Sequence, residues 1–497
     1  MIRAPWVVVA AGAVVVVLGS ALRPLVVADR EPPPVSVEAV ASTRLVCPDP
    51  IANALITSVV TGFVAPGLGG KRGAAGSGGA AGSTGAAQLV TMPPKGASQS
   101  KAISVAGRSQ TLSTSGMPLP PVVATGIGSL APGLTLDQFT LGDQGRTRGL
   151  AAMECVAAGT DEWFVGGGSG VGRLSVVTLT NPEDSPASVD VLLFGPGGAL
   201  PAPAGRGVFV PGRGQVRLSL SDLAPGVANF VVHVETLSGR VAAAVSDRLV
   251  NGLIPRGLEW VPRSTGPSTR TIVSAIPGKV SPVRLSVLSP QHDATVRVRL
   301  ITPSGTFAPA GMAKLALSAG RVEVIDITSA LRQQPVAVEL TSDQPVVGGA
   351  WYQLGDATGI AEFAYAAGAP ELTGPAAVAG LPIASGYRHR LYLTNTGGKQ
   401  ASVVVTVYDD AGRSRTTTLR VARGSTQVWT VRPPTKRTSG IFSMVVTPSA
   451  TSTHIRGMRI TSLPTGSGTM AAGVTLSPVR SKVVVPEAQP NLAVSAG

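Results

Sequence analysis

The stretch that decides the fold is RLSVVTLTNPEDSPASVDVLLFGPGG, residues 173–198. Two apolar runs rich in Val and Leu flank a polar turn, and a glycine turn follows, which is typical of an antiparallel hairpin. Similar stretches are RLSVLSPQHDATVRVRLITPSG at 284–305 and RLYLTNTGGKQASVVVTVYDDAG at 390–412. Their final glycines recur every 107 residues, at Gly198, Gly305 and Gly412. The spacing predicts a repeated strand-rich unit.

The alternation of apolar and polar residues within the repeats indicates strands with one solvent-exposed face. In the third repeat Val296, Val298 and Leu300 are expected to face inward, whereas Arg297 and Arg299 face outward. About six to eight such strands per repeat suit an antiparallel sandwich similar in size to immunoglobulin-like or fibronectin-like modules. The predicted fold class is all-β, with tandem sandwich repeats after one N-terminal transmembrane helix.

The repeats also predict the domain boundaries. A degenerate first copy is expected because RGLAAMEC from Arg148 recurs as RGLEWVPR from Arg256. Within it, residues 67–87 (GLGGKRGAAGSGGAAGSTGAA) lack apolar bulk and are predicted to be a disordered insertion. The predicted segments are a membrane anchor at 1–28, a proline-rich spacer at 29–35, four sandwiches at 36–165, 166–272, 273–378 and 379–486, and a tail at 487–497.

The N-terminus predicts export. Residues 4–22 form a nineteen-residue run without a charge, long enough to span a bilayer as a helix, and Arg3 precedes it. Positive charge on the short side favours a cytoplasmic N-terminus, so the bulk of the chain is expected outside a single-pass cell membrane. The alternative is a secreted protein after signal cleavage, since Gly19-Ser20-Ala21 has the small-x-small pattern of a cleavage site.

The two cysteines, Cys47 and Cys155, predict a disulfide. In an oxidising compartment such a pair most simply forms a bridge that closes a long loop. A reactive thiol or a metal pair is the alternative, but it needs neighbouring His or acidic residues that the local sequence does not place convincingly.

Catalytic signals are weak. The chain has four histidines at unrelated positions in the repeats, and it lacks HExxH, GxSxG, P-loop and zinc-binding cysteine patterns. Adjacent acids at Asp409 and Asp410 are explained by turn chemistry. We therefore expect no enzyme, no metal and no cofactor. A hydrolase would require a deep pocket that gathers acids or histidines from separate repeats.

Charge supplies the binding hypothesis. The net charge is +14, and nucleic acid is not expected because aromatic residues are not interleaved with the basic ones. If neighbouring strands bring outward arginines together, they form a basic face for an anionic polymer; the alternative is a solvated strand face. The candidate residues are Arg284, Arg297, Arg299, Arg388 and Arg390. Trp163 and Phe164 are expected to pack at the junction of the first two repeats, with carbohydrate stacking as the alternative.

Taken together, the anchor, LVCPDP around Cys47, RGLAAMEC from Arg148, Trp163-Phe164 and LTNP from Leu179 carry a resemblance. The chain resembles an uncharacterised family of actinobacterial secreted or membrane-anchored proteins. The resemblance implies location in the cell envelope and no established activity.

The leading hypothesis is a non-enzymatic envelope protein that acts as a structural, scaffold or binding module. The alternative is an accessory that binds an anionic wall polymer or glycan and assists a membrane glycosyltransferase or wall assembly system. Expected partners are a wall polymer or another envelope protein.

Overall fold

Apolar and polar residues alternate along most of the chain, and a computed structural model shows that these runs form strands. It describes residues 35–51, 56–69, 85–93, 96–115, 120–355, 360–452 and 454–486. The strands β2 to β35, whose residue ranges are given in the following paragraphs, pair antiparallel. The all-β prediction is therefore confirmed.

Several predicted segments lie outside the described residues. These are the anchor at 1–28, the tail at 487–497, all but the last residue of the spacer at 29–35, and residues 70–84 of the predicted insertion. Of the predicted insertion, Ala86 and Ala87 begin a strand, and Ala87 is buried. Among the helices of the described residues, none is both long enough and apolar enough to cross a bilayer.

A small two-stranded sheet forms one compact unit. It pairs β1 (Val35–Ala39) with β36 (Lys482–Pro486). Residues 39–481 form a separate compact unit, which holds four pairs of facing sheets.

The first sheet pair contains the disulfide. Its strands are β2 (Ser42–Cys47), β3 (Ile56–Val64), β4 (Ala86–Thr91), β5 (Ser100–Ile103), β6 (Ser109–Ser115), β7 (Val122–Ile127), β8 (Leu134–Gly142) and β9 (Gly149–Glu154). The sheet β2-β7-β4-β5 faces the sheet β6-β3-β8-β9. Cys47 and Cys155 are buried in the core between them and are joined, so the predicted disulfide is confirmed.

The second sheet pair includes the one α-helix among the described residues, α1 (Leu220–Leu223). Its strands are β10 (Asp161–Val165), β11 (Arg173–Asn181), β12 (Ala187–Gly195), β13 (Gly198–Leu200), β14 (Val208–Val210), β15 (Gly214–Ser219), β16 (Val231–Ser238), β17 (Ala242–Asn251), β18 (Ile254–Val261) and β19 (Arg263–Ser264). One sheet runs β13-β12-β16-β10-β19, with β14 beside β12, and the other runs β15-β11-β17-β18. Strand β10, which falls in the predicted first segment, thus pairs in the second.

The third sheet pair is built on a strand of twenty residues that contributes to both sheets. Its strands are β20 (Ser268–Ile276), β21 (Val283–Leu288), β22 (Ala294–Thr302), β23 (Gly305–Phe307), β24 (Leu315–Leu317), β25 (Val322–Asp326), β26 (Val336–Gly355) and β27 (Ala361–Ala367). The first half of β26 pairs with β20 and β22, and its second half pairs with β21 and β27.

The fourth sheet pair repeats the arrangement of the first. Its strands are β28 (Ala376–Pro382), β29 (Arg388–Asn395), β30 (Ala401–Asp409), β31 (Ser414–Val421), β32 (Ser425–Val431), β33 (Ile441–Pro448), β34 (Ile455–Thr465) and β35 (Gly468–Thr475). The sheets run β28-β33-β30-β31 and β32-β29-β34-β35.

Each sheet pair encloses an apolar core dominated by inward Val and Leu, and the cores of the second and third pairs continue into residues of the third and fourth pairs. The last long strand of each pair lies at a sheet edge, and these four strands, β9, β18, β27 and β35, are called the central strands here. β9 packs against β18 and β35, and β27 packs against the same two strands. The four pairs therefore close on one another instead of following in a line. A hydrogen bond of 2.8 Å between the hydroxyls of Ser109 and Ser443 joins the first pair to the fourth.

Candidate functional site

A glutamate on one central strand binds two of its neighbours. Glu362 on β27 is fully buried. Its Oε2 accepts a hydrogen bond from the amide of Leu150 on β9 at 3.1 Å, and its Oε1 accepts one from the amide of Leu258 on β18 at 3.0 Å. An edge strand has amides without ladder partners, and a buried amide must be satisfied. The Glu362 carboxylate therefore joins the edges of three sheets.

The repeated RGL motif explains why the strands approach so closely. Leu150 and Leu258 each follow the glycine of an RGL sequence, at Gly149 and Gly257. A Cβ on Gly257 would lie 2.3 Å from Glu362 Oε1, and one on Gly149 would lie 2.6 Å from the Leu258 Cβ. Gly257 also has a φ of 126°, which disfavours other residues. Both glycines are thus required for the carboxylate to reach the two amides.

A second glutamate, on β18, accepts backbone amides from two other central strands in the same way. Glu259 on β18 is fully buried; its Oε1 accepts from the amide of Ala152 on β9 at 3.1 Å, and its Oε2 accepts from the amide of Gly473 on β35 at 2.9 Å. Burial raises the pKa of both Glu259 and Glu362 well above the usual value, and the amide donors oppose that rise. All four central strands are thereby connected by two carboxylates.

Three further acids surround this junction. Asp137 on β8 lies opposite Glu154 on β9, and Glu162 lies on β10. Burial raises the pKa of Asp137 to about 6, against the opposing effect of Arg459. Burial, and then the Asp137 charge, raise the pKa of Glu154 to about 8. Burial raises the pKa of Glu162 to about 7, although Arg263 lies 4.0 Å away. Burial is thus the main reason that all three carboxyls have pKa values above those of exposed acids.

Two buried cations oppose these acids: Arg148, which is 5% exposed and lowers the pKa of Glu362, and Arg459. Arg459 on β34 is 2% exposed, and its charge interacts with Asp137, Glu259 and Glu154. Its Nη1 donates to the Thr461 hydroxyl at 3.1 Å, whereas its Nε has no acceptor among the described residues. Because guanidinium keeps its proton in proteins, Arg459 is a permanent positive charge at the junction.

A cavity of about 50 Å³ lies beside the acids and is bordered by the first, second and fourth sheet pairs. A water molecule occupies roughly 30 Å³ of liquid, whereas ligand pockets are typically hundreds of Å³. The cavity therefore has room for water and not for a sugar ring. Among the described residues, no three His, Cys, Asp or Glu side chains are arranged to hold a metal ion. The residues that border the cavity include Met153, Glu154, Trp260, Arg263, Thr475 and Ser477.

A second polar network joins the second and third sheet pairs. The Tyr365 hydroxyl, from β27, donates to Asp247 Oδ2 at 2.5 Å. Arg173 Nη2 donates to Asp247 at 2.8 Å and to Tyr365 at 2.6 Å. Asp247 is fully buried, and a Cβ on Gly166 would lie 2.5 Å from the Tyr365 ring. The glycines that follow Trp163-Phe164 therefore make room for a tyrosine from the next sheet pair.

The structure corrects the expected position of Trp163. It packs with Leu288, Val322 and Val347 between the second and third sheet pairs, and not at the junction of the first and second. Its indole stacks on the His233 ring with centroids 3.9 Å apart. Phe164 lies in the core of the second pair. The indole is 5% exposed, so packing explains this residue better than carbohydrate stacking.

The predicted basic face of Arg284, Arg297 and Arg299 is not assembled. Arg284 lies on β21 and stacks over Trp351 at 5.5 Å, whereas Arg297 and Arg299 lie on β22. Strands β21 and β22 pair with opposite halves of β26, in different sheets. Arg299 lies 3.6 Å from Glu339, which partly neutralises it. Alternation shows which residues face outward, but it does not show which sheet a strand joins.

Arg388 and Arg390 lie in a different setting. Both are exposed on β29 and border adjoining depressions that continue to the third sheet pair through Lys279. We call this surface the β29 groove. No Asp or Glu is among the described residues that border it, and Arg437 is paired with Asp410. The groove therefore has a positive potential. Its basic residues are Lys279, Arg332, Arg388, Arg390, Arg432 and Arg437.

His389, between the two arginines, faces the opposite way. It is buried, and its Nε2 donates to the Pro382 carbonyl at 2.8 Å while its Nδ1 accepts from Thr461 at 3.0 Å. Burial lowers its pKa to about 4. This histidine is therefore neutral and structural at ordinary pH.

Sequence patterns missed the acidic junction. The available signal was an isolated glutamate inside an apolar run, as in RGLEW for Glu259 and AEFAY for Glu362. Acids are almost never fully buried unless they are paired or hydrogen-bonded. Such positions indicate a buried carboxylate, but they do not identify its partners.

Comparison with known proteins identifies a family. Residues 106–432 match the model of a family of unknown function, DUF5719. No curated protein and no solved structure matches the chain.

Proposed function

Since this chain belongs to the DUF5719 family, whose function is unknown, we propose a role from its own residues: a non-enzymatic, extracytoplasmic, membrane-anchored envelope protein that acts as a rigid scaffold. In this role the four sheet pairs are immunoglobulin-like or fibronectin-like repeats of an actinobacterial envelope protein. The Cys47–Cys155 disulfide supports an oxidising compartment. The uncharged run at 4–22 supports the anchor, with secretion after cleavage as the alternative.

The central junction carries the proposal. Its acids come from separate sheet pairs, as a hydrolase would require, but Glu259 and Glu362 bind backbone amides of neighbouring strands. The adjoining cavity of about 50 Å³ has no room for a polymer unit. These acids therefore fit a role in holding four sheet pairs in one arrangement.

Glu154→Gln separates a scaffold from a hydrolase. Glu154 is the one acid among the described residues that border the cavity, and burial raises its pKa to about 8, so it is the candidate general acid there. The amide keeps the size of the side chain but cannot transfer a proton. We expect a deletion strain that carries Glu154→Gln to grow and divide as the wild type does, provided that the variant melts at an equal or higher temperature. A well-folded variant that fails to complement would overturn the scaffold proposal.

The β29 groove favours a second candidate, an accessory that binds an anionic wall polymer or glycan for a membrane glycosyltransferase or a wall assembly system. Arg388 and Arg390 project from one strand into a groove bordered by further cations. Guanidinium groups bind carboxylates and phosphodiesters through paired hydrogen bonds. A polymer with repeating negative charge matches a groove that extends across two sheet pairs.

Retention on purified anionic wall polymer at low and high salt tests this candidate. The double variant Arg388→Glu, Arg390→Glu should bind at least about tenfold more weakly at low salt, on the order of 1.4 kcal/mol. Arg297→Glu with Arg420→Glu is the matched control, because it makes the same charge change on exposed residues of β22 and β31 that do not border the groove. Equal losses in both variants would indicate a general effect of net charge. Absence of retention at low salt would remove the candidate.

A further inference from the structure

Exposed apolar side chains cluster at one end of the sheet β15-β11-β17-β18. Leu253 is 80% exposed, Val171 is fully exposed, and Leu174 and Ile254 are also exposed. Isolated exposed apolar residues are ordinary, whereas a group of four at one end of a sheet needs a reason. We call these four residues the apolar tip.

Strand register brings the tip together. β11 begins where β17 ends, because Arg173 pairs with Leu249, and β18 begins there too, because Asn251 pairs with Ile254. The amide of Val250 donates to the carbonyl of Gly172 at 2.9 Å, which holds the loop that carries Val171 beside the β17–β18 hairpin. The two loops therefore project in the same direction.

Arginines lie beside the tip. Arg248 pairs in register with Leu174, and Arg256 lies two residues beyond Ile254. Arg146 lies in a short 3-10 turn that packs on β18, and its charge adds to burial in lowering the pKa of Arg248. Neither Arg146 nor Arg248 forms an ion pair within the described part of the chain. Asp143 lies three residues from Arg146, and Asp247, next to Arg248, is paired with Arg173.

We propose that the apolar tip inserts into the surface of an anionic lipid bilayer, with Arg146 and Arg248 on the lipid headgroups. Apolar side chains enter the boundary between headgroups and acyl chains, and neighbouring arginines gain from the negative surface potential. A protein partner would also cover apolar residues, but Arg146 and Arg248, which form no ion pair with the described residues, complement anionic headgroups. This contact would orient the second sheet pair against the membrane, independently of any N-terminal anchor.

A local probe tests the proposal in the full chain. Both native cysteines form the disulfide, so Asn251→Cys introduces a single free thiol in the β17–β18 hairpin, which can carry a polarity-sensitive nitrobenzoxadiazole label. We expect blue-shifted emission with vesicles of phosphatidylglycerol and phosphatidylcholine, and no shift with phosphatidylcholine alone. Phe209→Cys is the control, because Phe209 is exposed on β14 in the other sheet. The local label reports on the tip even if the N-terminal segment itself binds vesicles.

Substitutions then separate insertion from adsorption. Leu253→Asp should raise the lipid concentration for the half-maximal shift at least about tenfold, and Arg248→Glu should weaken the shift in anionic vesicles. An unshifted label at position 251 in anionic vesicles would overturn the proposal. Equal shifts at positions 251 and 209 would overturn it as well, because they would indicate non-specific adsorption. A shift that needs an added protein and not lipid would point to a protein partner instead.

Discussion

Replacing Glu362 should loosen the junction of the central strands in a graded way. Its two oxygens accept the amides of Leu150 and Leu258, which belong to two other sheet pairs. Glu362→Ala leaves both buried amides without an acceptor. Glu362→Gln keeps one oxygen, but it places an amide donor against a backbone donor.

The magnitude follows from the number of amides that lose a partner. A buried donor without a partner costs about 1–3 kcal/mol, so Glu362→Ala should lower the free energy of unfolding by about 2–6 kcal/mol and Glu362→Gln by about 1–3 kcal/mol. These are upper limits, because both variants also remove the cost of burying a carboxylate whose pKa is raised. The expected order of stability is wild type, then Gln, then Ala.

Urea unfolding of the full oxidised chain, followed by tryptophan fluorescence, measures the effect. Glu183→Gln is the control, because the Glu183–Arg44 ion pair is about half exposed and such pairs contribute about 0–1 kcal/mol. If the central strands separate while each sheet pair stays folded, the unfolding transition should become biphasic. Each phase should then have a smaller slope of unfolding free energy against urea concentration. A Glu362→Ala protein as stable as Glu183→Gln would refute the role assigned to the carboxylate.

Three other perturbations have defined outcomes. The pKa of Glu154 rises from 4.5 to about 8 on folding, so between these pH values the folded state binds more protons than the unfolded chain. The free energy of unfolding should therefore fall by a few kcal/mol as pH rises from about 4.5 to about 8. Melting temperatures recorded across this pH range should show the decline in the wild type and a smaller decline in Glu154→Gln. Reduction of the Cys47–Cys155 disulfide, or its replacement by two serines, should lower the free energy of unfolding by roughly 3–5 kcal/mol for a loop of this length. Urea unfolding with and without dithiothreitol measures this loss, and an unchanged midpoint would contradict a stabilising role for the disulfide. Tyr365→Phe removes the hydrogen bond to Asp247 and should cost about 1–3 kcal/mol; thermal melts should show this loss, and equal melting temperatures would count against the network.

Local sequence patterns were sufficient for the strands and the disulfide. Val296 and Val298 alternate with Arg297 and Arg299, and in the structure the valines are buried and the arginines exposed. This succeeded because the side chains of a strand point alternately to its two faces.

The partners of each sheet edge were decided only by the tertiary structure. Glu259 and Glu362 stand out in apolar runs, yet their hydrogen bonds go to Leu150, Ala152 and Gly473 on other sheet pairs. The separation of Arg284 from Arg297 likewise follows from β26, which contributes to two sheets.

By itself, therefore, the sequence determined which residues form strands, which faces are apolar and which cysteines pair. The closing of four sheet pairs around buried carboxylates was decided by tertiary structure alone. The physical reason is that alternation is a property of one strand and its own two faces. The satisfaction of an edge amide depends instead on which distant strand packs beside it, and no local pattern encodes that neighbour.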